Sequence, residues 1–267
     1  METDRLRRVS SRQNAVVKEL RRAFGRGELT EDGCCAIESV HLIEEAIRSG
    51  LRFRAVFFSE AGAARAARLL PQLGSHVEML VLPDEVFAGA VATESPQGVA
   101  ALVRPRESSL ERMLAPAAPL VVVAAGLQDP GNLGTLVRSA EAFGASGVVL
   151  AEGTVSQFNP KAVRASAGSL FRMNTVRCPL AEACARMRER GLRLAATSSH
   201  KGVPLPEADL RGPLALLIGN EGAGLGRETM SGVDVVLSIP HAPQVESLNA
   251  GVAASVMLYE MARQRRT

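Results

Sequence analysis

The first hundred residues switch repeatedly between the hydrophobic spacing of helices and that of strands. Short apolar runs predict strands at residues 34–39, 53–59, 77–82 and 98–103. Helical spacing or Ala-rich composition predicts helices at residues 10–24, 40–48, 61–70 and 83–90. This alternation predicts a compact α/β domain over residues 1–104.

A more regular alternation begins at Leu120. Strands are predicted at residues 120–126, 147–151, 171–176, 192–197, 214–219 and 233–239, and helices at 132–143, 160–168, 180–189, 227–231 and 247–264. Several of these strands are apolar throughout, as strands buried on both faces of a parallel sheet are. The pattern predicts a second α/β domain over residues 120–267, with a parallel sheet covered by helices. A polar, then Pro- and Ala-rich stretch at residues 105–119 predicts a linker.

The last predicted helix follows a loop that contains two prolines. Ser247 is a good N-cap because its hydroxyl can accept a hydrogen bond from an early helix amide. Leu248, Val252, Val256 and Tyr259 recur at helical spacing, and the residues between them are mostly Ala, Gly and Met. A helix that is apolar on nearly all sides is buried or lies in an interface.

Three polar or glycine-rich clusters follow predicted strands, at residues 127–138, 219–226 and 240–249. Ligands of parallel sheets bind at such carboxyl ends. The glycine-rich cluster is neither GxGxxG, since residue 227 is Arg, nor a Walker loop, and a tight structural turn would also explain it. A nicotinamide-dependent oxidoreductase on a Rossmann fold would carry GxGxxG and an acid about 20 residues later, which the chain lacks.

Arg138 lies on an otherwise apolar helix face behind the first cluster, and Asn132 can cap that helix. An arginine in such a place needs a partner to offset the loss of hydration. The planar guanidinium of Arg138 can donate two parallel hydrogen bonds to a phosphate group. An ion pair with Glu141 or Glu221 would serve equally well, so the position alone leaves both interpretations open.

Net charge is +3 over 267 residues, but its distribution is uneven. Residues 1–26 contain eight Arg or Lys and three acidic residues, and the C-terminal end is also basic, with Arg263, Arg265 and Arg266. Basic arms of this kind contact nucleic-acid phosphates or form solvated helix faces. Aromatic residues make up 3% and Trp is absent, so base stacking is not expected to be the main device for binding RNA.

The four cysteines show neither a CxxC pair nor a histidine at metal-ligand spacing. Reduced thiols in a cytoplasmic protein without a metal site are therefore expected. No apolar segment is long enough to span a bilayer, and the charged N-terminus lacks the apolar core of a signal peptide.

Taken together, the three clusters resemble the signature motifs of the SpoU, or TrmH, family of RNA 2′-O-ribose methyltransferases in the SPOUT superfamily. They read LQDPGNLGTLVRSAEAFGA, LLIGNEGAGLG and IPHAPQVESLNAGVAASV. The segment 159–171 is similar to one found in members that act on ribosomal RNA, and SSRQNAVVKEL, IESVHLIEEA and SPQGVA look like their N-terminal substrate-binding domain. Ser39 stands where that pattern usually has Gly, and His241 and Pro243 stand where Met and Gly are commoner.

The resemblance implies a SPOUT fold in which the C-terminal end of the parallel-sheet domain forms a deep trefoil knot, an exception to the rule of unknotted chains. It also implies a homodimer built on the first-motif helix and the last helix. S-adenosylmethionine would lie bent in the knot. The residues that would bind it are Thr197, Gly219, Asn220, Glu221, Ile239, Leu248 and Asn249.

The implied reaction is methyl transfer to a ribose 2′-hydroxyl, most simply in the RNA of the large ribosomal subunit. Arg138 matches the family's catalytic arginine, either as a base or as a group that positions a phosphate and stabilises oxyanion charge. Asn132, Glu221, Ser247 and Asn249 would orient it and the ribose, and residues expected to bind RNA are Arg12, Lys18, Arg138, Lys161 and Arg164. A transfer-RNA methyltransferase and a non-catalytic RNA-binding or ribosome-assembly protein remain alternatives, as does simple packing for the helix that carries Arg164.

Overall fold

A computed structural model of the chain describes residues 5–91, 93, 95–199 and 201–266, without the side chains of residues 66 and 67. The chain divides into two compact units, one of Met1–Arg106 with Ser156–Phe171 and one of Glu107–Val155 with Arg172–Thr267. The boundaries differ from the prediction in two places. Residues 156–171 were expected in the second domain but belong to the first unit, and most of the expected linker 105–119 belongs to the second.

The first unit is built on a five-stranded sheet in the order β1-β4-β3-β5-β2, in which β5 runs antiparallel to β2 and β3. Its strands are β1 (Leu6–Arg8), β2 (Cys35–Glu38), β3 (Arg52–Ser59), β4 (Glu78–Leu82) and β5 (Val99–Arg104). Its α-helices are α1 (Ala15–Arg26), α2 (Val40–Arg48), α3 (Ala66–Leu69), α4 (Asp84–Ala88) and, from the later segment, α7 (Pro160–Ser166). The four predicted strands of this part are confirmed.

The two faces of this sheet are covered by different helices. Side chains alternate along β3, so Phe57 packs in one apolar cluster and Phe58 in the other. The cluster around Phe57 contains Leu20 of α1, whereas the cluster around Phe58 contains Ile43 of α2 and Val163 of α7. The helices α1 and α7 therefore lie on opposite faces of the sheet.

The predicted basic arm is partly built into the sheet. Residues 6–8 form β1 and pair in parallel with β4. Just before them, the guanidinium of Arg5 donates to the backbone carbonyls of Leu70, Leu73 and Gly74. A three-residue edge strand has no periodicity of its own, and for that reason the sequence pattern did not reveal it.

The second unit is built on a parallel seven-stranded sheet in the order β10-β12-β9-β11-β6-β7-β8. Its strands are β6 (Leu120–Ala124), β7 (Gly147–Leu150), β8 (Thr175–Arg177), β9 (Arg193–Thr197), β10 (Val203–Pro204), β11 (Leu214–Ile218) and β12 (Val235–Ser238). Its helices are α5 (Leu110–Leu114), α6 (Pro130–Ala142), α8 (Leu180–Glu189), α9 (Arg227–Ser231) and α10 (Ala250–Arg265). The predicted α/β class and parallel sheet are confirmed.

The strand order separates this sheet from a Rossmann fold. In the Rossmann order the fourth and fifth strands follow one another outward from the first. Here β11, which is the fifth strand of this sheet when the two-residue β10 is left out, lies between β6 and β9 and pairs with both. The carboxyl ends of β6, β11, β9 and β12 are consequently neighbours, which brings the three predicted motif loops to one edge of the sheet.

Helix α5 is capped by Ser109 and lies inside the stretch that was predicted to be a linker. Leu110, Met113 and Leu114 are buried in the same apolar cluster as Met187 of α8. The Pro- and Ala-rich composition after this helix concealed it, because five residues are too few to show a helical period.

Both motif helices begin differently from the prediction. The cap of α6 is Asp129, whose Oδ1 accepts from the amide of Asn132 at 2.8 Å. The cap of α10 is Asn249, whose Oδ1 accepts from the amides of Gly251 and Val252. The interpretations of Asn132 and Ser247 as caps are wrong, because in each helix a neighbouring Asp or Asn offers the better-placed oxygen.

Helix α10 is not buried on all sides. Val252, Val256 and Tyr259 are 48%, 39% and 57% exposed, while its opposite side packs on α6, where the Ser139 and Ser255 hydroxyls lie 2.7 Å apart. No helix in the described part of the chain is both long and apolar enough to cross a membrane.

The basic tail is engaged within the protein. Arg265 donates to the backbone carbonyls of Ala118, Leu210 and Gly212, and burial lowers its pKa. Arg263 forms an ion pair with Glu260. Arg263 and Arg265 therefore make contacts within the protein at the end of α10, and they are not free basic side chains.

Candidate active site

A cavity of about 720 Å³ lies at the carboxyl ends of β9, β11 and β12 and at the start of α10. All seven residues predicted to bind a cofactor line it, together with Ser247: Thr197, Gly219, Asn220, Glu221, Ile239, Leu248 and Asn249. Sequence reasoning did not select the other residues of the lining, among them Met230, Glu246 and Met257. The cavity therefore joins three chain segments that are distant in sequence.

The loop after β11 is folded tightly enough to expose its backbone to the cavity. Asn220 and Gly224 exchange two backbone hydrogen bonds, and the side chain of Asn220 accepts from the amides of Gly222 and Ala223 at 2.9 Å. A Cβ at Gly219 would lie 2.4 Å from the carbonyl carbon of Gly224. The glycine at position 219 is therefore required by close backbone approach, and peptide groups instead of side chains form this wall.

Glu221 fastens the second motif loop to the first. Its carboxylate accepts from the backbone amides of Gln128 and Asp129 at 3.1 Å and from the side-chain amide of Asn132 at 3.0 Å. Burial alone would raise its pKa, but these hydrogen bonds outweigh burial and leave the pKa of Glu221 lowered. Glu221 is therefore ionised and holds the start of α6 in place. We call its hydrogen bonds to Gln128, Asp129 and Asn132 the Glu221 clamp.

A second set of hydrogen bonds holds the backbone of Gly126, just before the first motif loop. The side-chain amide of Asn220 donates to the carbonyl of Gly126 at 2.9 Å. The hydroxyl of Thr154, buried in the loop after β7, accepts from the amide of Gly126 and donates to the carbonyl of Ala124. Sequence reasoning missed Thr154; a hydroxyl residue just after an apolar strand was the available signal.

The third loop contributes mostly polar groups. Nδ1 of His241 lies 2.7 Å from the carbonyl oxygen of Ile239, within the bend that follows β12. Ser247 and Glu246 line the cavity, and Asn249 does so while it caps α10. The cap therefore couples the position of a cavity residue to the start of the last helix.

Arg138 is placed apart from this cavity. It is exposed on α6 and does not line the pocket, and within the described residues its side chain makes no hydrogen bond or ion pair. The alternative of an ion pair is wrong, because Glu221 binds amides and Glu141 pairs with Arg172 at 2.6 Å. The guanidinium is consequently available to a group from outside the chain.

The other residues predicted to bind RNA are distributed over the first unit. Arg12 is exposed, with its guanidinium 3.7 Å from Glu85. Lys18 lies on α1, whereas Lys161 and Arg164 lie on α7, which covers the opposite face of the sheet. The structure therefore does not gather these four residues into one patch.

The charge of the cavity favours a cationic ligand. Glu221 and Glu246 line it, and no Lys or Arg does so among the residues that are described. In the same part of the chain, no cluster of three His, Cys, Asp or Glu residues is placed to hold a metal ion. The arrangement offers carboxylates, amide groups and backbone to a ligand of moderate size.

Comparison with known proteins agrees with this geometry. The SpoU rRNA Methylase family model matches residues 119–259, and the model of the MRM3-like substrate binding domain matches residues 14–101. The chain belongs to the SpoU rRNA methylase family, as its three motifs predicted.

Full-length relatives support the assignment. The chain is 32% identical over 256 residues to 23S rRNA (guanosine(2553)-2′-O)-methyltransferase RlmP of Bacillus subtilis (strain 168), covering 96% of this chain and 99% of that one. It is 32% identical over 271 residues to the 23S rRNA (uridine(2479)-2′-O)-methyltransferase of Streptomyces viridochromogenes, covering 98% and 94%. The crystal structure of the SpoU methyltransferase AviRb from Streptomyces viridochromogenes with the cofactor AdoMet superposes with a TM-score of 0.85 at 30% identity, covering 96% and 99%.

Proposed function

We propose that this protein uses S-adenosylmethionine to methylate a ribose 2′-hydroxyl in the RNA of the large ribosomal subunit. The observation that carries the proposal is a cavity lined by the second and third motif loops, with Glu221 of the second loop hydrogen-bonded to Asn132 of the first. The two relatives above carry names of 23S ribosomal RNA 2′-O-methyltransferases that modify different nucleotides. The proposal therefore extends to the RNA class and not to a particular nucleotide.

The cavity suits this cofactor. Its volume of about 720 Å³ lies within the range of small-molecule sites, and its two carboxylates suit a molecule with sulfonium and ammonium charges. The backbone of Gly219, Ile239 and Leu248 would hold it, with the side chains of Thr197 and Asn249 beside it. Bound there, the cofactor supplies a methyl group that is already activated toward nucleophiles.

Arg138 would act on the RNA and not on the cofactor. Its exposed guanidinium can bind a phosphate beside the target ribose in two-pronged fashion and stabilise negative charge that develops on the 2′-oxygen. We assign it this role and not that of a base, because a guanidinium hardly loses its proton in proteins. Asn132 and Glu221 would position the helix that carries Arg138, and Ser247 and Asn249 would line the ribose side of the cavity.

We also propose a homodimer. The exposed apolar side chains Val252, Val256 and Tyr259 lie on α10, which packs on the helix that carries Arg138. Since Arg138 does not line the cavity of its own chain, a second copy would complete each site by supplying this residue. The shared surface would be formed by α6 and α10 of both chains.

The proposal includes the deep trefoil knot and a cytoplasmic location. The insertion of β11 between β6 and β9, with its loop clamped to the first motif, supports a knotted rather than a Rossmann topology. The four cysteines are all free and buried, as suits a reducing compartment, and burial raises the pKa of Cys35 to about 12.

Transfer of labelled methyl groups tests the function. Purified protein is incubated with methyl-labelled S-adenosylmethionine and total RNA from cells that lack its gene. We expect label at a ribose 2′-oxygen of the large-subunit ribosomal RNA, located by digestion and mass spectrometry. Label in transfer RNA would establish the alternative substrate. Tight cofactor binding without transfer to any RNA, or no cofactor binding at all, would overturn the proposal.

A further inference from the structure

A second, smaller cavity lies in the first unit and shares no lining residue with the first cavity. It occupies about 340 Å³ between one side of α1 and the loop 28–32, and we call it the α1 groove. Lys18, Arg22 and Arg26 line one wall. The loop residues Glu28, Leu29, Thr30, Glu31 and Asp32 line the other. Ala15, Glu19 and Ala23 of α1 also line the groove, so its lining holds three basic and four acidic side chains.

Lys18, Arg22 and Arg26 form no ion pair within the described part of the chain, although acidic side chains line the same groove. Most other basic side chains described in the first unit are engaged: Arg7, Arg48, Arg54 and Arg68 in ion pairs, and Arg5, Arg104 and Arg106 with backbone carbonyls. In contrast, the side chains of Lys18, Arg22 and Arg26 make no hydrogen bond or ion pair to any described residue. Like charges four residues apart on a helix repel each other. The fold thus keeps three adjacent cations together without a partner of their own.

The spacing of these cations suits a phosphate backbone. Each step of four residues advances about 6 Å along a helix, at roughly 1.5 Å per residue. Lys18, Arg22 and Arg26 therefore form a row of charges at regular intervals along one side of α1. A row of cations along one line matches successive phosphates of a nucleic-acid strand better than it matches a single small anion. Two of the three are arginines, whose forks bind phosphate oxygens in pairs.

The acidic wall limits which strand can enter. A bare polyanion would be repelled by Glu28 and Glu31, which make no ion pair among the described residues, whereas Asp32 lies 3.7 Å from Arg54. Carboxylates accept hydrogen bonds from the amino group of cytosine. Leu29, 43% exposed between them, offers an apolar contact to a base. Such a base must be unpaired, as it is in the loops of folded RNA.

We propose that the α1 groove binds a single-stranded segment of the RNA substrate. Phosphates contact Lys18, Arg22 and Arg26, and a base with an exocyclic amino group, such as cytosine, contacts Glu28 and Glu31. This inference rests on the proposed action on RNA and names the part of the RNA that the first unit recognises. It also selects between the two faces of that unit, since Lys161 and Arg164 lie on the face opposite to α1.

Fluorescence anisotropy of the full-length protein with labelled oligocytidylate and oligouridylate, over a range of KCl concentrations, tests the groove. The wild-type protein should bind oligocytidylate at least about fivefold more tightly, the lower end of the discrimination expected for one good base contact. The variant Lys18→Gln/Arg22→Gln/Arg26→Gln should bind both more weakly. The slope of log affinity against log salt concentration should be smaller in magnitude by about 2, which is roughly 0.7 for each lost phosphate contact.

Two variants serve as controls. Arg48→Gln/Arg52→Gln/Arg68→Gln removes the same charge from the same unit outside the groove and should keep the wild-type slope. Glu28→Ala/Glu31→Ala should bind oligouridylate more tightly and lose the preference for cytidylate, because both the repulsion and the base contact are gone. A basic triple variant with the wild-type slope, a wild-type protein without base preference, or a loss of slope only in Lys161→Gln/Arg164→Gln would overturn the proposal.

The outcome is separable from that of the proposed function. Calorimetric titration with S-adenosylmethionine should give the same affinity for the triple variant as for the wild-type protein, since the groove lies outside the cofactor cavity. Specific oligonucleotide binding without any methyl transfer would preserve the groove and refute the enzyme. If neither methyl transfer nor RNA binding is affected by the triple substitution, the groove is refuted and the proposed function is preserved.

Discussion

The carboxylate of Glu221 accepts a hydrogen bond from the side-chain amide of Asn132 over 3.0 Å, although 89 residues separate the two in sequence. Both residues were predicted to act together in catalysis. Their geometry assigns them a mechanical connection, because Glu221 also holds the amides of Gln128 and Asp129. The loop that ends β11 thereby sets the start of the helix on which Arg138 lies.

Substituting Glu221 should lower the stability of the protein. Glu221→Gln replaces one acceptor oxygen by an amino group that faces amide donors, and we expect a loss of about 1 kcal/mol in the free energy of unfolding. Denaturant unfolding measures this, with Glu246→Gln as control, since Glu246 lines the same cavity without a comparable set of hydrogen bonds. Equal stability of the two variants would contradict the clamp.

The clamp should also depend on pH. The folded-state pKa of Glu221 lies below its unfolded value, so its contribution to stability is fully present above the unfolded pKa of about 4.3 and is lost as pH falls through the folded pKa. The difference in unfolding free energy between the wild-type protein and Glu221→Gln should therefore shrink as the pH is lowered below about 4. A difference that stays constant to the lowest accessible pH would show that Glu221 is not ionised in the clamp.

Arg138→Ala should slow methyl transfer by about 10²- to 10³-fold, as the loss of one group that stabilises developing charge does. Cofactor affinity should be unchanged, because Arg138 does not line the cavity. Single-turnover assays and calorimetry measure the two quantities. If Arg138 acts from a second copy, mixing Arg138→Ala with Glu221→Ala subunits should restore part of the activity, and a mixture as inactive as its components would place Arg138 in its own chain's site.

The exposed face of α10 should hold the dimer together. Val256→Asp places a charge in the proposed shared surface and should yield a monomer in sedimentation velocity experiments. Val203 is equally exposed, at 39%, but lies on the edge strand β10, so Val203→Asp is the matched control. A Val256→Asp protein that sediments with the wild-type would remove this surface from the assembly.

Arg265 should contribute more to stability than its neighbour at the end of the chain. Arg265→Met leaves three backbone carbonyls without a charged donor, and we expect a loss of about 2 kcal/mol in the free energy of unfolding. Arg266→Met, one residue later and exposed, should have little effect. Similar unfolding curves for the two variants would return Arg265 to the role of a free basic tail.

Ser39 should be a strained residue whose replacement by glycine stabilises the protein. Its φ of 123° and ψ of 152° fall in a region occupied almost only by glycine, at a cost of about 1–3 kcal/mol. Its hydroxyl accepts from the amide of Leu42, and a glycine cap costs only a few tenths of a kcal/mol. We therefore expect Ser39→Gly to gain about 1 kcal/mol, whereas Ser39→Ala should lose stability because it keeps the strain and loses the cap. Thermal unfolding of both variants decides the matter.

Local features of the chain were readable from sequence because they depend on neighbouring residues. The apolar runs and turn residues predicted nearly every strand, and the three motifs predicted the family. Signals shorter than one period failed: β1, β10 and α5 were missed, and both motif helices were assigned the wrong cap. Ser39 could be noted as a departure from the glycine of the pattern, but its strain became visible only with its backbone angles.

The sequence by itself determined most of the elements, the family and eight of the residues that line the cavity. Only the tertiary structure decided that β11 lies between β6 and β9, that Glu221 binds Asn132 instead of Arg138, and that Lys18 and Lys161 lie on opposite faces of a sheet. The physical reason is that hydrophobic periodicity records which side of an element is buried. It carries no information about which strand, helix or charged group from elsewhere in the chain covers that side.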